Sequence, residues 1–225
     1  MLSELYRPKT WTDFAGQPAI SDIEAELASP WLFQGTGLRW LFESDGVAGC
    51  GKTSAAYVAA SALGCSDLST VRLDSRALQV AELRDIERGL GFFGMSGNGR
   101  KCYIIDEIHH LNDSCRKMLL GITESLPTHV ALIATTTSVT WADEIDGLFS
   151  RWTRFRFSKP NAAALAEHLE RIAREQSLAI PAGFRFLAYV QGKIGSRDNE
   201  SNGNNVRALI DGLPSALRRY QTKAA

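Results

Sequence analysis

Two glycines and a lysine stand at a fixed spacing near residue 50, and they constrain the fold more than any other feature of the sequence. Four residues separate Gly46 from Gly51, and Lys52 and Thr53 follow at once. The apolar run before this stretch predicts a short strand, and the alanine-rich run after it predicts a helix. A glycine-rich loop between a strand and a helix lets backbone N–H groups converge on phosphate oxygens. The sequence therefore predicts a phosphate-binding loop.

Two side chains of this loop can act on a bound phosphate. Lys52 supplies a positive charge for the β- and γ-phosphates, and the Thr53 hydroxyl can bind Mg²⁺. A glycine-rich turn that arose by chance is the alternative, but the flanking strand and helix favour a nucleotide site. We predict ATP and Mg²⁺ as ligands, with nucleotide contacts from Gly46, Val47, Ala48, Gly49, Cys50, Gly51, Lys52, Thr53 and Ser54.

Two acidic residues follow another apolar strand. Asp106 ends the run Cys102–Asp106, so we expect its side chain at the carboxyl edge of the sheet, where parallel α/β folds bind ligands. There Asp106 can hold Mg²⁺ through water, and Glu107 can polarise the attacking water. An ordinary helix cap is the alternative interpretation of the acidic pair.

Strands alternate with helices up to about residue 159. Nearly all-apolar strands separated by helices indicate a parallel sheet that is covered on both faces. The predicted strands are Arg39–Ser44, Thr70–Leu73, Cys102–Asp106, Val130–Thr135 and Thr153–Phe157, and the predicted helices are Ala19–Leu27, Thr53–Leu63, Leu78–Gly89 and Asp113–Glu124. Asp113 is a plausible cap of the last helix. Residues 2–17 lack periodicity and are expected to form an arm that lies on this core, and Gly94–Gly99 is a predicted turn.

Beyond Pro160 the periodicity is helical only. The predicted helices are Ala162–Gln176, Ala182–Gly192 and Asn205–Tyr220, and the polar stretch Ser196–Asn205 is a predicted loop. The fold class is therefore α/β, with a five-stranded parallel sheet between helices, followed by a small all-α domain. We place the two domains at residues 1–159 and 160–225.

Charge and cysteine content exclude several classes of function. The 225 residues carry 25 basic and 25 acidic side chains, so contact with a polyanion must come from a local cluster rather than from the whole surface. The four cysteines are scattered without a CxxC pair, which argues against a zinc site. No apolar run approaches the roughly 20 residues of a membrane span, so we expect a cytoplasmic protein without a membrane partner.

Together these motifs resemble those of the AAA+ ATPases, and in particular of the clamp-loader branch. The opening Leu5-Tyr-Arg-Pro-Lys-Thr-Trp-Thr-Asp-Phe-Ala-Gly-Gln17 resembles the clamp-loader arm around adenine and ribose, and Ile104-Ile-Asp-Glu-Ile-His-His-Leu111 is similar to the Asp-Glu box of bacterial loader subunits. Ser150-Arg-Trp152 is similar to the Ser-Arg-Cys motif, whose arginine enters the ATP site of the neighbouring subunit. Asn205-Val-Arg-Ala-Leu resembles the second sensor of the helical lid.

The resemblance covers residues 4 to about 220 and implies further site residues. Thr136 is expected to be the first sensor, within a Thr135–Thr137 run in which any hydroxyl could reach the γ-phosphate. Arg151 is expected to act in trans from the start of the last strand, on the same edge of the sheet, and Arg207 in cis; a surface role is the alternative for Arg151. Residues expected near the base are Tyr6, Arg7, Pro8 and Gly16.

Three features depart from the clamp-loader pattern. Loader subunits continue into a helical collar that holds the pentamer together, whereas this sequence stops at the lid. A four-cysteine zinc module between the loop and the acidic box is absent, and Trp152 replaces the cysteine of the Ser-Arg-Cys motif. The expectation is therefore a clamp-loader subunit without its collar.

The resemblance implies a homo- or hetero-oligomer, in a pentamer-like ring or spiral, that couples ATP hydrolysis to loading a sliding clamp or a similar partner on primer-template DNA. Another DNA-linked AAA+ machine, such as a branch-migration motor or a recombination or transposition regulator, is one alternative. A nucleotide-gated DNA-binding scaffold with little turnover is another. The candidate DNA contacts are Arg84, Arg88, Arg100 and Lys101. A solvated helix face, paired with Asp85 or Glu87, is the alternative for the first two.

Overall fold

The computed structural model describes residues 1–95, 98–144, 146–194 and 205–224. They form two compact units. The sheet unit comprises Ala19–Asp45 and Lys52–Phe157, and the helical unit comprises Met1–Pro18, Gly46–Gly51 and Ser158–Ala225. In chain order the helices are α1 (Leu2–Leu5), α2 (Ala19–Leu27), α3 (Lys52–Ala62), α4 (Val80–Gly89), α5 (Asp113–Glu124), α6 (Val139–Glu144), α7 (Asp146–Phe149), α8 (Ala162–Glu175), α9 (Phe186–Ile194) and α10 (Val206–Ala224).

Five parallel strands form the sheet unit. They are β1 (Leu38–Glu43), β2 (Thr70–Asp74), β3 (Lys101–Asp106), β4 (Val130–Thr136) and β5 (Thr153–Arg156), and their order in the sheet is β2-β3-β4-β1-β5. Every residue of the central strands β1 and β4 is buried, and the edge strands β2 and β5 are partly exposed. Since side chains alternate along a strand, continuous burial means that both faces of the sheet are covered at its centre. The predicted α/β class and five-stranded parallel sheet are confirmed.

The strand register brings several chain segments to one edge of the sheet. Glu43 lies opposite Thr136, and Asp74 lies opposite Asp106. Because the strands are parallel, the residues that end or follow β1, β2, β3 and β4 meet at this carboxyl edge. The predicted phosphate-binding lysine and the predicted magnesium aspartate both belong to these segments.

The helices of the sheet unit differ from the prediction in small ways. Asn112 caps α5, since its side chain accepts a hydrogen bond from the Cys115 N–H at 2.9 Å; Asp113, the predicted cap, is the first helical residue. α4 begins at Val80 rather than at Leu78. The short helices α6 and α7 were not predicted, because segments of six and four residues are too short to show a helical period.

The core of the helical unit lies between α8, α9 and α10, where Leu169, Ile172, Val190 and Leu213 are fully buried. α9 begins four residues later than predicted. A turn stands there instead, in which Gly183 has a φ of +80° and the Phe184 N–H donates to the Pro181 carbonyl. The predicted loop Ser196–Asn205 lies outside the described residues except for Asn205. Residues 96 and 97 of the predicted turn Gly94–Gly99 also lie outside the described residues.

The amino-terminal arm belongs to the helical unit. The Ser3 N–H and hydroxyl donate to the Asp211 carboxylate at 2.9 and 2.7 Å, and the side chains of Leu2 and Tyr6 pack against the helical core. α1 contacts α10 of the helical unit, and the expected position of the arm on the α/β core stays a prediction. Within the described ranges, no helix has both the length and the apolar character that crossing a bilayer requires.

Candidate nucleotide site

Lys52 is the first residue of α3 and one of the few buried charges of the sheet unit, with 5% of its surface exposed. Its Nζ donates to the hydroxyl of Ser44 at 2.7 Å. Ser44 is fully buried and directly follows β1, so the strand end holds the lysine at the carboxyl edge. Sequence reasoning missed this role of Ser44, although its position at the end of β1 was a usable signal.

Asp106 and Thr53 lie next to each other, as the magnesium prediction requires. The Thr53 hydroxyl donates to Asp106 Oδ1 at 2.9 Å, and the Thr135 hydroxyl donates to the same oxygen at 2.7 Å. Carboxylate and hydroxyl oxygens are ligands that a hard divalent cation prefers. The residues present therefore fit Mg²⁺. Within the Thr135–Thr137 run, Thr135 contacts the aspartate, and the role of Thr136 as the first sensor stays a prediction.

Hydrogen bonds keep Asp106 ionised in spite of its burial. Desolvation raises the pKa of this carboxyl group, but hydrogen bonds from Thr135, Arg72 and Thr53 outweigh that effect and hold the pKa below its usual value. Asp106 is therefore negatively charged at neutral pH. A charged carboxylate is the form that binds a cation.

Glu107 has a strained backbone. Its φ and ψ are both 52°, in the left-handed region that residues other than glycine seldom adopt. Three contacts hold it there: the Glu107 N–H donates to the Thr135 hydroxyl at 3.0 Å, and Ser75 Oγ lies 2.8 Å from the Asp106 carbonyl and 2.6 Å from the Glu107 carbonyl. Such strain persists only where the surroundings fix it, and it clusters at functional sites.

Polar side chains orient the Glu107 carboxylate. The Thr137 hydroxyl donates to Glu107 Oε2 at 3.1 Å, and His109 Nδ1 lies 3.4 Å from the same oxygen. Burial lowers the pKa of His109 although Glu107 opposes the shift, so the imidazole is neutral at neutral pH. His109 Nδ1 also lies 3.0 Å from the hydroxyl of Thr136. Thr136 therefore meets Glu107 through His109, whereas Thr137 contacts it directly.

Arg72, which sequence reasoning missed, also contacts the acidic pair. Its Nη2 lies 2.5 Å from Asp106 Oδ2, and the side chain is 51% exposed against 12% for Asp106. Arg72 stands on β2, an edge strand, where an arginine is ordinarily a solvated surface residue. Nothing local in the sequence distinguishes it, because its partner lies 34 positions away.

The glycine-rich loop is described within the helical unit. Gly49 and Gly51 have φ values of +67° and +101°. A Cβ at Gly49 would lie 1.9 Å from Asn205 Oδ1, and one at Gly51 would lie 3.1 Å from the Phe14 ring. The loop is thus approached closely from the arm and from the start of α10. Gln17, also missed by sequence reasoning, donates from Nε2 to the carbonyls of Cys50 and Ser158 at 3.2 and 2.9 Å.

Comparison with known proteins gives distant relatives. No protein-family model matches the chain. The sequence is 28% identical to DNA polymerase III subunit tau of Bacillus subtilis, over 81% of this chain and 35% of that protein. It is 25% identical to DNA polymerase III subunit gamma of Buchnera aphidicola, over 79% of this chain and 52% of that protein. The chain thus spans about a third to a half of these relatives.

The solved structures agree on the fold. A variant of RuvB from Thermotoga maritima has a TM-score of 0.71 at 19% identity, over 98% of this chain and 68% of that one. The polymerase subunits match over about four fifths of the chain. The chain is similar in sequence to these polymerase subunits, which supports a clamp-loader-type AAA+ ATPase.

The arm makes contacts within the helical unit. Tyr6 Oη accepts a hydrogen bond from Gln176 Nε2 at 3.0 Å, and Arg7 and Pro8 are half-buried. Gly16 has a φ of +60°, and a Cβ there would lie 2.8 Å from the Cβ of Ala164. Close packing against α8 thus explains the glycine without a nucleotide. Base contact by these four residues stays a prediction.

Arg151 lies at the opposite edge of the sheet from Lys52. β5 begins at Thr153, which pairs with Trp40, so Arg151 precedes the strand and lies at the amino edge of the sheet. Arg39 is its neighbour there, since burial and, to a smaller extent, the positive charge of Arg151 lower the pKa of Arg39. The expectation that Arg151 shares the edge of the acidic pair is wrong, because the start of a parallel strand lies a full strand length from its end. At about 3.3 Å per residue, β1 separates the two edges by roughly 17 Å.

The Arg151 side chain is exposed beside a buried tryptophan. Arg151 is 66% exposed, and its closest carboxylate is Glu124, at 3.9 Å. The adjacent Trp152 is buried and packs edge-on against Phe149, with ring centroids 5.3 Å apart. The tryptophan that replaces the family's cysteine therefore anchors the turn from which Arg151 projects.

Arg207 lies in the first turn of α10 and is exposed. One turn further along the helix, burial raises the pKa of Asp211, but hydrogen bonds from Ser3 and the charge of Arg207 outweigh burial and lower that pKa. Asn205, two residues before Arg207, approaches Gly49 of the glycine-rich loop. The role of Arg207 as a second sensor stays a prediction.

The four candidate DNA contacts separate into two pairs. Arg84 and Arg88 are exposed one turn apart on α4, and Arg88 forms an ion pair with Asp85 at 2.5 Å. Arg100 stacks on the Phe33 ring at 3.8 Å and donates to the Leu63 carbonyl at 3.0 Å. Lys101 begins β3 and donates to the Gly89 carbonyl at 3.0 Å. The first pair is therefore better placed for a polyanion than the second.

Proposed function

We propose that the chain hydrolyses ATP within an oligomer on primer-template DNA, and that turnover is coupled to placing a sliding clamp or a similar partner protein. The observation that carries the proposal is the cluster at the carboxyl edge, where Thr53 bonds Asp106 and Glu107 stands in a strained conformation beside it. The similarity to DNA polymerase III subunits supports the DNA-linked part.

In the proposed reaction each residue of the cluster has one task. Lys52 binds the β- and γ-phosphates, and Thr53 and Asp106 hold Mg²⁺, which supplies positive charge against the phosphates. Glu107 accepts a proton from the water that attacks the γ-phosphorus, and the bond to the bridging oxygen of ADP breaks. Thr137 keeps the Glu107 carboxylate oriented toward that water.

We further propose the division of labour that the sequence predicts. Residues 1–159 bind and hydrolyse the nucleotide, and residues 160–225 act as its lid, with Arg207 as the second sensor. Arg151 serves a neighbouring subunit, because its position at the amino edge of the sheet unit is remote from Lys52 of the same chain. An oligomer then follows as a requirement of catalysis.

ATPase activity with and without DNA tests this proposal. We expect a primed single strand to stimulate turnover several-fold, and Lys52→Ala to abolish it, because the loop loses the cation that holds the phosphates. Released phosphate is measured with primed DNA, unprimed single strand and a four-way junction. A preference for the junction would favour a branch-migration motor instead. If wild-type turnover is no higher than that of Lys52→Ala, the remaining alternative is the nucleotide-gated DNA-binding scaffold with little turnover.

Salt dependence of DNA binding tests the two arginines on α4. The measured quantity is the slope of the logarithm of the DNA-binding constant against the logarithm of the salt concentration. In the Arg84→Ala/Arg88→Ala variant we expect this slope to become less steep by about 0.9 for each arginine that binds a phosphate in the wild type, or by about 1.8 if both do. The matched control is Arg218→Ala/Arg219→Ala, which removes two exposed arginines from α10. An equal slope in wild type and the α4 variant would assign Arg84 and Arg88 to a solvated helix face.

A further inference from the structure

We propose that Arg72 is a tethered cation that occupies the magnesium aspartate while the metal is absent, and that it sets the Mg²⁺ concentration at which the site binds nucleotide. The inference rests on the proposed ATP site. It concerns a residue that neither the motifs nor the relatives assign.

Both carboxylate oxygens of Asp106 accept hydrogen bonds. Oδ1 accepts hydrogen bonds from the hydroxyls of Thr53 and Thr135, at 2.9 and 2.7 Å. Oδ2 accepts from Arg72 Nη2 at 2.5 Å. Each oxygen of the carboxylate thus has a donor. A metal ion at Asp106 therefore shares the carboxylate with these three donors, and of the three only Arg72 carries a positive charge that opposes it.

Arg72 is the partner that can leave. Thr53 and Thr135 lie on α3 and β4, inside the sheet unit, and Thr135 is fully buried. The Arg72 side chain is half-exposed on an edge strand, whereas that of Asp106 is 12% exposed. A guanidinium and a divalent cation at one carboxylate repel each other, so binding of one opposes binding of the other. The aspartate stays in place and the arginine moves.

A second acceptor is present for the displaced guanidinium. Asp74 follows two residues later on β2, so its side chain lies on the same face of the strand as that of Arg72. The hydrogen bond to Asp106 raises the pKa of Arg72, and the charges of Asp106, Tyr57 and Asp74 add to that effect. Since Asp74 is exposed, Arg72 keeps its charge and can exchange Asp106 for Asp74 without entering an apolar environment.

Nucleotide binding at varied Mg²⁺ tests the exchange. The full chain is titrated with MgCl₂ at a fixed concentration of a fluorescent ATP analogue. Since a neighbouring opposite charge changes proton affinity at a carboxylate by tenfold or more, we expect Arg72→Gln to need about tenfold less Mg²⁺ for half-saturation. Arg72→Lys keeps the positive charge, so its half-saturating Mg²⁺ concentration should be close to that of the wild type. The control is Arg174→Gln, which breaks the Arg174–Glu170 pair of the same 2.5 Å length.

Thermal unfolding separates this role from a purely structural one. Arg72→Gln should lower the Tm of the protein in EDTA and leave the Tm in saturating Mg-ADP equal to that of wild type, because the proposal has Mg²⁺ displace Arg72 from Asp106. A drop of the same size in both conditions makes Arg72 a structural residue. If Arg72→Gln needs the same Mg²⁺ concentration for half-saturation as the wild type, or a higher one, the proposal is overturned. Failure of the wild type to bind the analogue at any Mg²⁺ concentration would instead overturn the proposed ATP site, and the inference with it.

Discussion

The Glu107→Gln variant is expected to bind ATP as tightly as the wild type and to hydrolyse it about 10²–10⁴ times more slowly. Glutamine has the shape of glutamate and can still accept the hydrogen bond from Thr137, which lies 3.1 Å from Oε2. What it loses is the capacity to accept a proton from the attacking water. The Asp106 carboxylate and its hydroxyl donors are untouched, so the metal site keeps its charge.

Single-turnover hydrolysis and equilibrium binding of an ATP analogue are the two measurements. Glu24→Gln is the control, since Glu24 is an exposed glutamate on α2 in the same unit. Loss of ATP affinity in Glu107→Gln, with hydrolysis reduced only in proportion, would make Glu107 a ligand or a structural residue. The strained backbone at residue 107 gives a further check. Because the glutamine occupies the same left-handed conformation, the Tm of the variant should match that of the wild type.

The sheet and the acidic strand were predictable because their signals are local. β1, β3 and β4 are almost continuously apolar, and such runs separated by helices have few solutions other than a covered parallel sheet. The position of Asp106 follows from the same logic, since the last residue of a parallel strand lies at the carboxyl edge. Nothing beyond the order of elements was needed for these conclusions.

The partners of the acidic pair were not predictable, because they come from distant positions. Ser75 and Arg72 contact residues 106 and 107 across more than 30 positions of the chain. Whether Thr135, Thr136 or Thr137 faces the aspartate depends on the phase of β4, which the apolar pattern of a fully buried strand leaves open. The register settles it: Thr135 contacts Asp106, and Thr137 contacts Glu107.

Arg151 is a different case, because its edge did follow from the sequence. It precedes a strand of a predicted parallel sheet, so the logic that places Asp106 at the carboxyl edge places Arg151 at the amino edge, and the expected shared edge was an error of inference. At the amino edge its distance from Lys52 is a strand length, so its guanidinium cannot serve the site of its own chain. The structural correction therefore strengthens the argument for action on a second subunit.

Replacing Arg151 by alanine is expected to lower turnover by about 10³–10⁵, which is the range for an arginine that stabilises charge on the transferred phosphoryl group. Affinity for ATP should stay near that of the wild type, since the loop and Lys52 are unchanged. Wild-type specific activity should rise with protein concentration, because each site needs a neighbour. Phosphate release is measured across a dilution series, and Arg39→Gln is unsuitable as a control because Arg39 adjoins Arg151. Arg174→Ala, on α8, serves instead.

Mixing two inactive variants decides between a trans and a surface role. A Glu107→Gln subunit retains Arg151, and an Arg151→Ala subunit retains an intact base, so the interface that joins them in one orientation has both. In a head-to-tail assembly of a one-to-one mixture, about a quarter of the interfaces have this composition. Turnover should therefore return to roughly that fraction of the wild-type rate. If the mixture stays inactive and wild-type activity is independent of concentration, Arg151 is a surface residue and each chain hydrolyses ATP alone.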